Sequence, residues 1–396
     1  MKTYYRYQVL LGIFASMFVL SACRLFTPVD PTALPPEPTR LGSSATPPPA
    51  SATHTPLAAT TTTTATPSSE PLLCEFDPAI GSLLDQSTAE TWLDWIEKLS
   101  GAEPVTINGE ETRIETRYSI SMFDGSPNAR AFEFVHEQVL AWYPEEQVRA
   151  MDFEVTRASD NQKFHWKNLI ITIPGKTTPE EVVILSAHLD STSELPEERA
   201  PGAADNGSGA AALLEAARLL QDMQFERTVQ IIWFTGEEMG LFGSRAFVEE
   251  IDNPNSVVGV VNLDMFGYDS DNDRCFEMHV GTKPESDRVG RCFTAAIDTY
   301  NLDLPNYDYL ESQATDRSDH GSFWQRDIGA IEILENMFDH DLADAGQPQA
   351  CSNGDMNPNY HTSRDTVDAL NGETGVEIVR AAIATIVGMA KPLEVP

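Results

Sequence analysis

Three runs of apolar, largely β-branched residues in this chain each stop at ionisable side chains. Val182-Val183-Ile184-Leu185-Ser186-Ala187 leads into His188-Leu189-Asp190, Val229 to Thr235 into Gly236-Glu237-Glu238, and Val257 to Leu263 into Asp264. Runs with so little polar alternation are those of strands covered on both faces. Asn168–Ile173 and Ile328–Leu334 read as further strands. Helical periodicity alternates with them, at Thr88–Leu99, at Ala129–Trp142, at Gly209–Met223 and at Gly375–Ala390. Strand–helix alternation with buried strands predicts an α/β fold, a three-layer α/β/α sandwich around a mostly parallel mixed central sheet. In such a sheet the carboxyl ends of the strands face one crevice, so the ionisable groups are expected to converge there. Hydrophobic residues are 41% of the 396, enough to cover a large sheet, and a single catalytic domain over 72–396 is expected.

The segments before that domain read differently. Lys2 and Arg6 precede an apolar run from Val9 to Leu20 that ends in Leu20-Ser21-Ala22-Cys23. The run is short for a membrane span, and small residues before a cysteine match a lipoprotein signal peptide over 1–22 with Cys23 as the lipidated residue. Residues 23–71 are largely Pro, Thr, Ser and Ala, a composition that cannot bury enough surface to order itself, and are expected to form a tether. The chain is therefore expected outside the cytoplasm, anchored to the cell membrane or envelope by lipid alone. Export permits disulfides. Cys74, Cys275, Cys292 and Cys351 allow three pairings, and closeness in sequence favours Cys275–Cys292 with Cys74–Cys351. The formal net charge of −35, from 26 basic and 61 acidic side chains, argues against nucleic acid and anionic membrane surfaces as partners.

Between the first two strand ends lies Gly202-Ala203-Ala204-Asp205-Asn206-Gly207-Ser208-Gly209, a small-residue turn that would set Asp205 beside His188. Asn359-Tyr360-His361-Thr362 brings a second imidazole on a polar loop before the last helix. Any one of these groups alone is a common structural residue. Together they would place many carboxylates in one crevice, where they repel unless a cation sits among them. Two histidines with three or four carboxylates are the donor set of a two-zinc hydrolase, and a glutamate beside the ligands is free to take a proton from water.

The blocks His188-Leu189-Asp190, Gly202 to Gly209, Gly236 to Ser244, Asn262-Leu263-Asp264-Met265, Ser318-Asp319-His320 and Tyr360-His361-Thr362, in this order, resemble the M28 zinc aminopeptidases. The resemblance implies two Zn2+ per catalytic domain, one held by His188 and Asp264 and the other by Glu238 and His361. It further implies that Asp205 bridges them, that the Asp205–Asn206 peptide is cis, that Glu237 is the general base, and that Asp190 orients His188 by accepting its other ring N–H. Asp319 and His320 would be positioning groups near the substrate, a peptide with a free N-terminus. The polar segment from Phe338 to Pro358 is expected to cross the site and alter the preference for the N-terminal residue. Three alternatives stay open: a two-zinc carboxypeptidase or deacylase using Arg317, Arg326 or Arg364, a single-zinc glutaminyl cyclase, and a non-catalytic binding module.

Overall fold

A computed structural model describes residues 72–118, 121–122, 126–156, 161–338, 351 and 354–394. The expected signal peptide and tether, Cys23 and most of the 338–358 segment lie outside these residues. The chain divides into two units, 1–67 and 68–396, and all described residues belong to the second. Among them no helix is long and apolar enough to cross a membrane.

In chain order, α1 (Ile80–Leu84) and α2 (Ala89–Leu99) precede a hairpin of β1 (Val105–Ile107) and β2 (Glu110–Thr112), then α3 (Pro127–Trp142). Next come β3 (Val148–Thr156), β4 (Lys163–Ile173), β5 (Thr178–His188) and α4 (Gly209–Leu220). β6 (Gln224–Phe225), β7 (Arg227–Phe234), α5 (Phe242–Glu249), β8 (Val257–Leu263) and β9 (Cys275–His279) follow. The chain continues through α6 (Pro284–Tyr300), β10 (Asn306–Leu310), α7 (His320–Trp324) and β11 (Ala330–Glu335) to α8 (Gly372–Ala390) and β12 (Pro392–Glu394).

Eight strands form one mixed sheet in the order β10-β9-β11-β8-β5-β7-β4-β3. Its centre, β11-β8-β5-β7, is parallel, whereas β4 and β3 add antiparallel at one side and β9 runs antiparallel to β11 at the other. Side chains alternate across the sheet, as the two-residue period requires. Val183, Leu185, Ile231, Trp233, Val261 and Ile333 join the helix residues of α2, α3, α4, α6 and α8 in one core. Ile170, Ile184, Ile232, Phe234 and Val260 meet Phe247 of α5 and Phe323 of α7 in a second. The outcome is the three-layer sandwich expected.

The first amphipathic helix shows how the frame reaches the site. Thr88 caps α2, its hydroxyl accepting from the Thr91 amide at 3.1 Å while the Thr91 hydroxyl accepts from the Thr88 amide at 3.0 Å. Trp92, Ile96 and Leu99 are its buried face. The Trp92 indole N–H donates to the Ser208 carbonyl at 3.0 Å, and its ring stacks on Phe266. One helix thus braces the Gly202–Ser208 turn and the segment after β8.

The disulfides are Cys74–Cys292 and Cys275–Cys351, not Cys275–Cys292 and Cys74–Cys351. Cys275 opens β9 inside the sheet, while Cys292 lies on the buried face of α6. Closeness in sequence put neither in reach of the other. Cys74 runs beside the end of α8, where the Glu75 amide donates to the Gly388 carbonyl. Cys351 sits against β9 and β10, its amide on Asp308.

Candidate metal centre

β5, β7 and β8 are neighbours in register, with His188 opposite Phe234 and Ser186 opposite Asn262. Their ends therefore deliver His188, Glu237, Glu238 and Asp264 to one edge. Gly236, with φ of 75°, turns the chain out of β7 in the left-handed region that suits glycine. Asp205 arrives from the turn before α4, across a cis peptide to Asn206. The Asn206 carboxamide donates to the Leu263 carbonyl and accepts from the Gly209 and Met265 amides, locking the turn to the end of β8. A Cβ at Gly209 would lie 2.4 Å from Asn206 Oδ1 and 2.7 Å from the Leu263 carbonyl oxygen, so only glycine permits this approach.

His188 Nε2 lies 3.1 Å from Asp264 Oδ1 and 3.3 Å from Asp205 Oδ1. His361 Nε2 lies 3.1 Å from both Asp205 Oδ2 and Glu238 Oε2. Asp205 thus turns one oxygen to each of two groups, His188–Asp205–Asp264 and Asp205–Glu238–His361, and each group can converge on an ion. Tetrahedral zinc ligands at about 2.0–2.1 Å sit roughly 3.3 Å from one another, which is the spacing found. His188, Asp205 and Asp264 are buried, whereas His361 is half-exposed. His361 and Met265 both adopt left-handed backbone, with φ of 55° and 36°; such strain costs roughly 1–2 kcal/mol and is common at functional sites.

The electrostatics match that reading. Burial and the Asp205 carboxylate push Glu238 up to about 7, despite His361. Burial, with Asp264, Asp319 and Glu238 nearby, holds Glu237 well above the ordinary carboxylate range although His188 opposes it. Burial lowers the affinity of His361 for a proton, but Asp205 and Glu238 outweigh it and raise the imidazole to about 10. Buried Glu238 Oε1 has no donor among the described residues. So much negative charge in so little water suits cations, and imidazole nitrogen with carboxylate oxygen suits zinc.

Asp190 departs from expectation in its contacts. The His188 Nδ1–H donates to the Asp190 main-chain carbonyl at 3.0 Å, while the carboxylate stands 3.8 Å away. That carboxylate instead accepts the amides of Glu237 and Glu238, both at 3.2 Å. Its aim at the next strand end, rather than back at the ring two residues earlier, explains the difference. Asp319 and His320 are wholly buried and are not among the residues that line the cleft.

Three supporting residues carried no recognised motif. Arg117, buried in the stretch between β2 and α3, donates to the carbonyls of Leu99, Leu189, Pro201 and Gly202, and burial lowers it to about 10. Asp365 accepts the amides of Ala204 and Asp205 and the Asn357 carboxamide. Its place four residues after His361 was the available signal. Glu332, on β11, lines the cleft with Met265, Leu334, Met337, Phe338 and Tyr360. A third acidic group, Asp269, Asp271 and Asp273, lies elsewhere; its oxygens are engaged by Asn371, Thr374 and nearby amides.

Comparison with known proteins bears on the same residues. The leucine aminopeptidase 1 of Arthroderma otae is 30% identical over 248 residues, covering 59% of this chain and 61% of that protein. The probable leucine aminopeptidase 1 of Trichophyton verrucosum is 29% identical over 235 residues, covering 57% and 58%. The chain therefore spans about three-fifths of the length of these curated relatives. The LapA aminopeptidase of Legionella pneumophila superposes with a TM-score of 0.59 at 25% identity, covering 83% of this chain and 79% of that one. A glutaminyl cyclase of Porphyromonas gingivalis, at 16% identity and a TM-score of 0.55, shares the fold, covering 76% and 98%. The pattern of peptidase family M28 runs over residues 168–386, from β4 into α8 and across the ends of β5, β7 and β8, and this chain belongs to that family.

Proposed function

We propose that the chain is an extracytoplasmic aminopeptidase that removes N-terminal residues from peptides at a two-zinc centre. The observation that carries this reading is Asp205, whose two oxygens face two separate imidazole–carboxylate groups. His188 and Asp264 would hold one ion, Glu238 and His361 the other, with Asp205 shared. When bound, such a pair brings the pKa of a water near neutrality and polarises the scissile carbonyl.

The chain's own part is positioning and proton transfer. Glu237 lines the cleft beside His188, at 4.0 Å, and takes no part in either three-residue group. It accepts the proton of the attacking water and returns it to the departing amine. Asp190 fixes the Glu237 and Glu238 amides, so base and ligand keep their separate directions. The names of the relatives support the choice of exopeptidase. Of the arginines a carboxylate-selecting enzyme would use, Arg326 is spent on the carbonyls of Val248 and Ile251, and only Arg317 lines the cleft.

The test is full-length, zinc-loaded protein assayed on aminoacyl anilides, their N-acetylated forms and N-blocked dipeptides with a free carboxylate. Cleavage of the free-amine series alone is expected, with elemental analysis approaching two metals per chain. Cleavage of the blocked dipeptides would favour the carboxypeptidase, and one ion per chain under saturating zinc would remove the two-zinc centre. Lipid anchoring at Cys23 rests on the residues before it: wild-type protein should fractionate with bacterial membranes and Cys23→Ser should not.

A further inference from the structure

The aminopeptidase reading leaves one buried acid in the cleft without a task. Glu332 is 2% exposed and sits on β11 two residues before Leu334, on the face that lines the cleft. Its Oε2 has no hydrogen-bond partner among the described residues. His320 Nδ1 lies 3.5 Å from it and is itself without a hydrogen-bond partner among the described residues. That imidazole cannot supply a proton in its neutral form. His320 Nε2 lies 2.8 Å from the Thr315 carbonyl, an acceptor, so the ring hydrogen is on Nε2 and Nδ1 presents a lone pair. Thr315 is held in turn by its amide, which donates to His279 Nδ1 at 3.0 Å. Burial pushes His320 down to about 3, so a second proton does not rescue the contact.

Burial, with Asp264, Glu277 and Asp319 nearby, holds the Glu332 carboxyl well above the ordinary carboxylate range although His188 opposes it, so its charged form is costly unless a cation from outside meets it. Met265, Leu334, Met337 and Phe338 line the same cleft, together with Thr315 and Ser318. Apolar lining residues with a buried acid among them match a long methylene chain that carries a cation at its tip. Arg317 also lines the cleft, but it is exposed at the rim and its charge is screened there.

Resting on the aminopeptidase reading, we propose that Glu332 is the specificity residue of this cleft and selects peptides whose N-terminal residue is lysine or arginine.

Norleucine has lysine's carbon chain without the ammonium, so the pair isolates the charge. With zinc-loaded full-length protein, kcat/KM for lysyl anilide should exceed that for norleucyl anilide by roughly 10- to 100-fold, the scale of one buried charge-assisted hydrogen bond. Glu332→Gln, close in shape, and Glu332→Leu should each collapse or reverse that ratio. A wild-type ratio at or below one, or a ratio untouched by both variants, would overturn the proposal while leaving the aminopeptidase intact. If no free-amine anilide is cleaved, that reading fails instead. Calorimetric binding of lysinamide against norleucinamide then still decides the charge recognition: tighter lysinamide binding lost in Glu332→Gln supports it, and equal binding refutes it.

Discussion

Glu237 and Glu238 are adjacent in sequence and identical in chemistry, and the fold gives them different surroundings. Glu238 meets His361 at 3.1 Å, while Glu237 stays outside both imidazole–carboxylate groups. Glu237→Gln should therefore keep its metal and lose turnover by roughly 10²–10⁴-fold, the contribution of general acid–base catalysis. Glu238→Gln should lose metal affinity first and regain part of its activity in excess zinc. Metal content and kcat measured together separate the two, and the opposite pattern would exchange their roles. Asp190 makes a related case. Because its carboxylate accepts two amides of the Glu237–Glu238 loop, Asp190→Ala should lower kcat and metal affinity together while the circular dichroism spectrum holds. These residues were legible because each stands at the end of an apolar run or in a short motif. Arg117 was not, since a lone arginine in an irregular stretch carries no pattern until four carbonyls close around it.

Among the elements, the strands that read clearly were the central ones, whose two covered faces leave unbroken apolar runs. β3 is at the edge, alternates charged and apolar residues, and is mostly exposed along one face, which weakens the signal. β9 was hidden for a different reason. It is buried throughout yet carries Glu277 and His279, which pair with each other at 2.9 Å, so its sequence looks half polar. α2 reads well from its period and its cap. Thr88→Ala should cost about 1 kcal/mol of unfolding free energy, measurable by urea denaturation. Trp92→Phe should add an effect on activity, because it leaves the Ser208 carbonyl without its donor and loosens the turn that presents Asp205. A Trp92→Phe enzyme with unchanged kcat would separate α2 from the centre.

For the whole molecule, the disulfides join places that chain distance keeps apart, with sequence separations of 218 and 76 residues. Non-reducing peptide mapping should return Cys74 linked to Cys292 and Cys275 to Cys351. Chelation should lower the melting temperature reversibly, since zinc at 1,000 times its dissociation constant contributes about 4 kcal/mol to the folded state. A melting temperature indifferent to chelator would mean that the acidic cluster needs no cation. Asp365 links the scales. It holds the Asp205 turn through two backbone amides from a position 160 residues downstream. A chain growing on the ribosome therefore carries His188, Asp205 and Glu237 long before the clasp that aligns them exists. In the proposed peptidase, activity thus waits until the carboxyl-terminal portion has joined the rest.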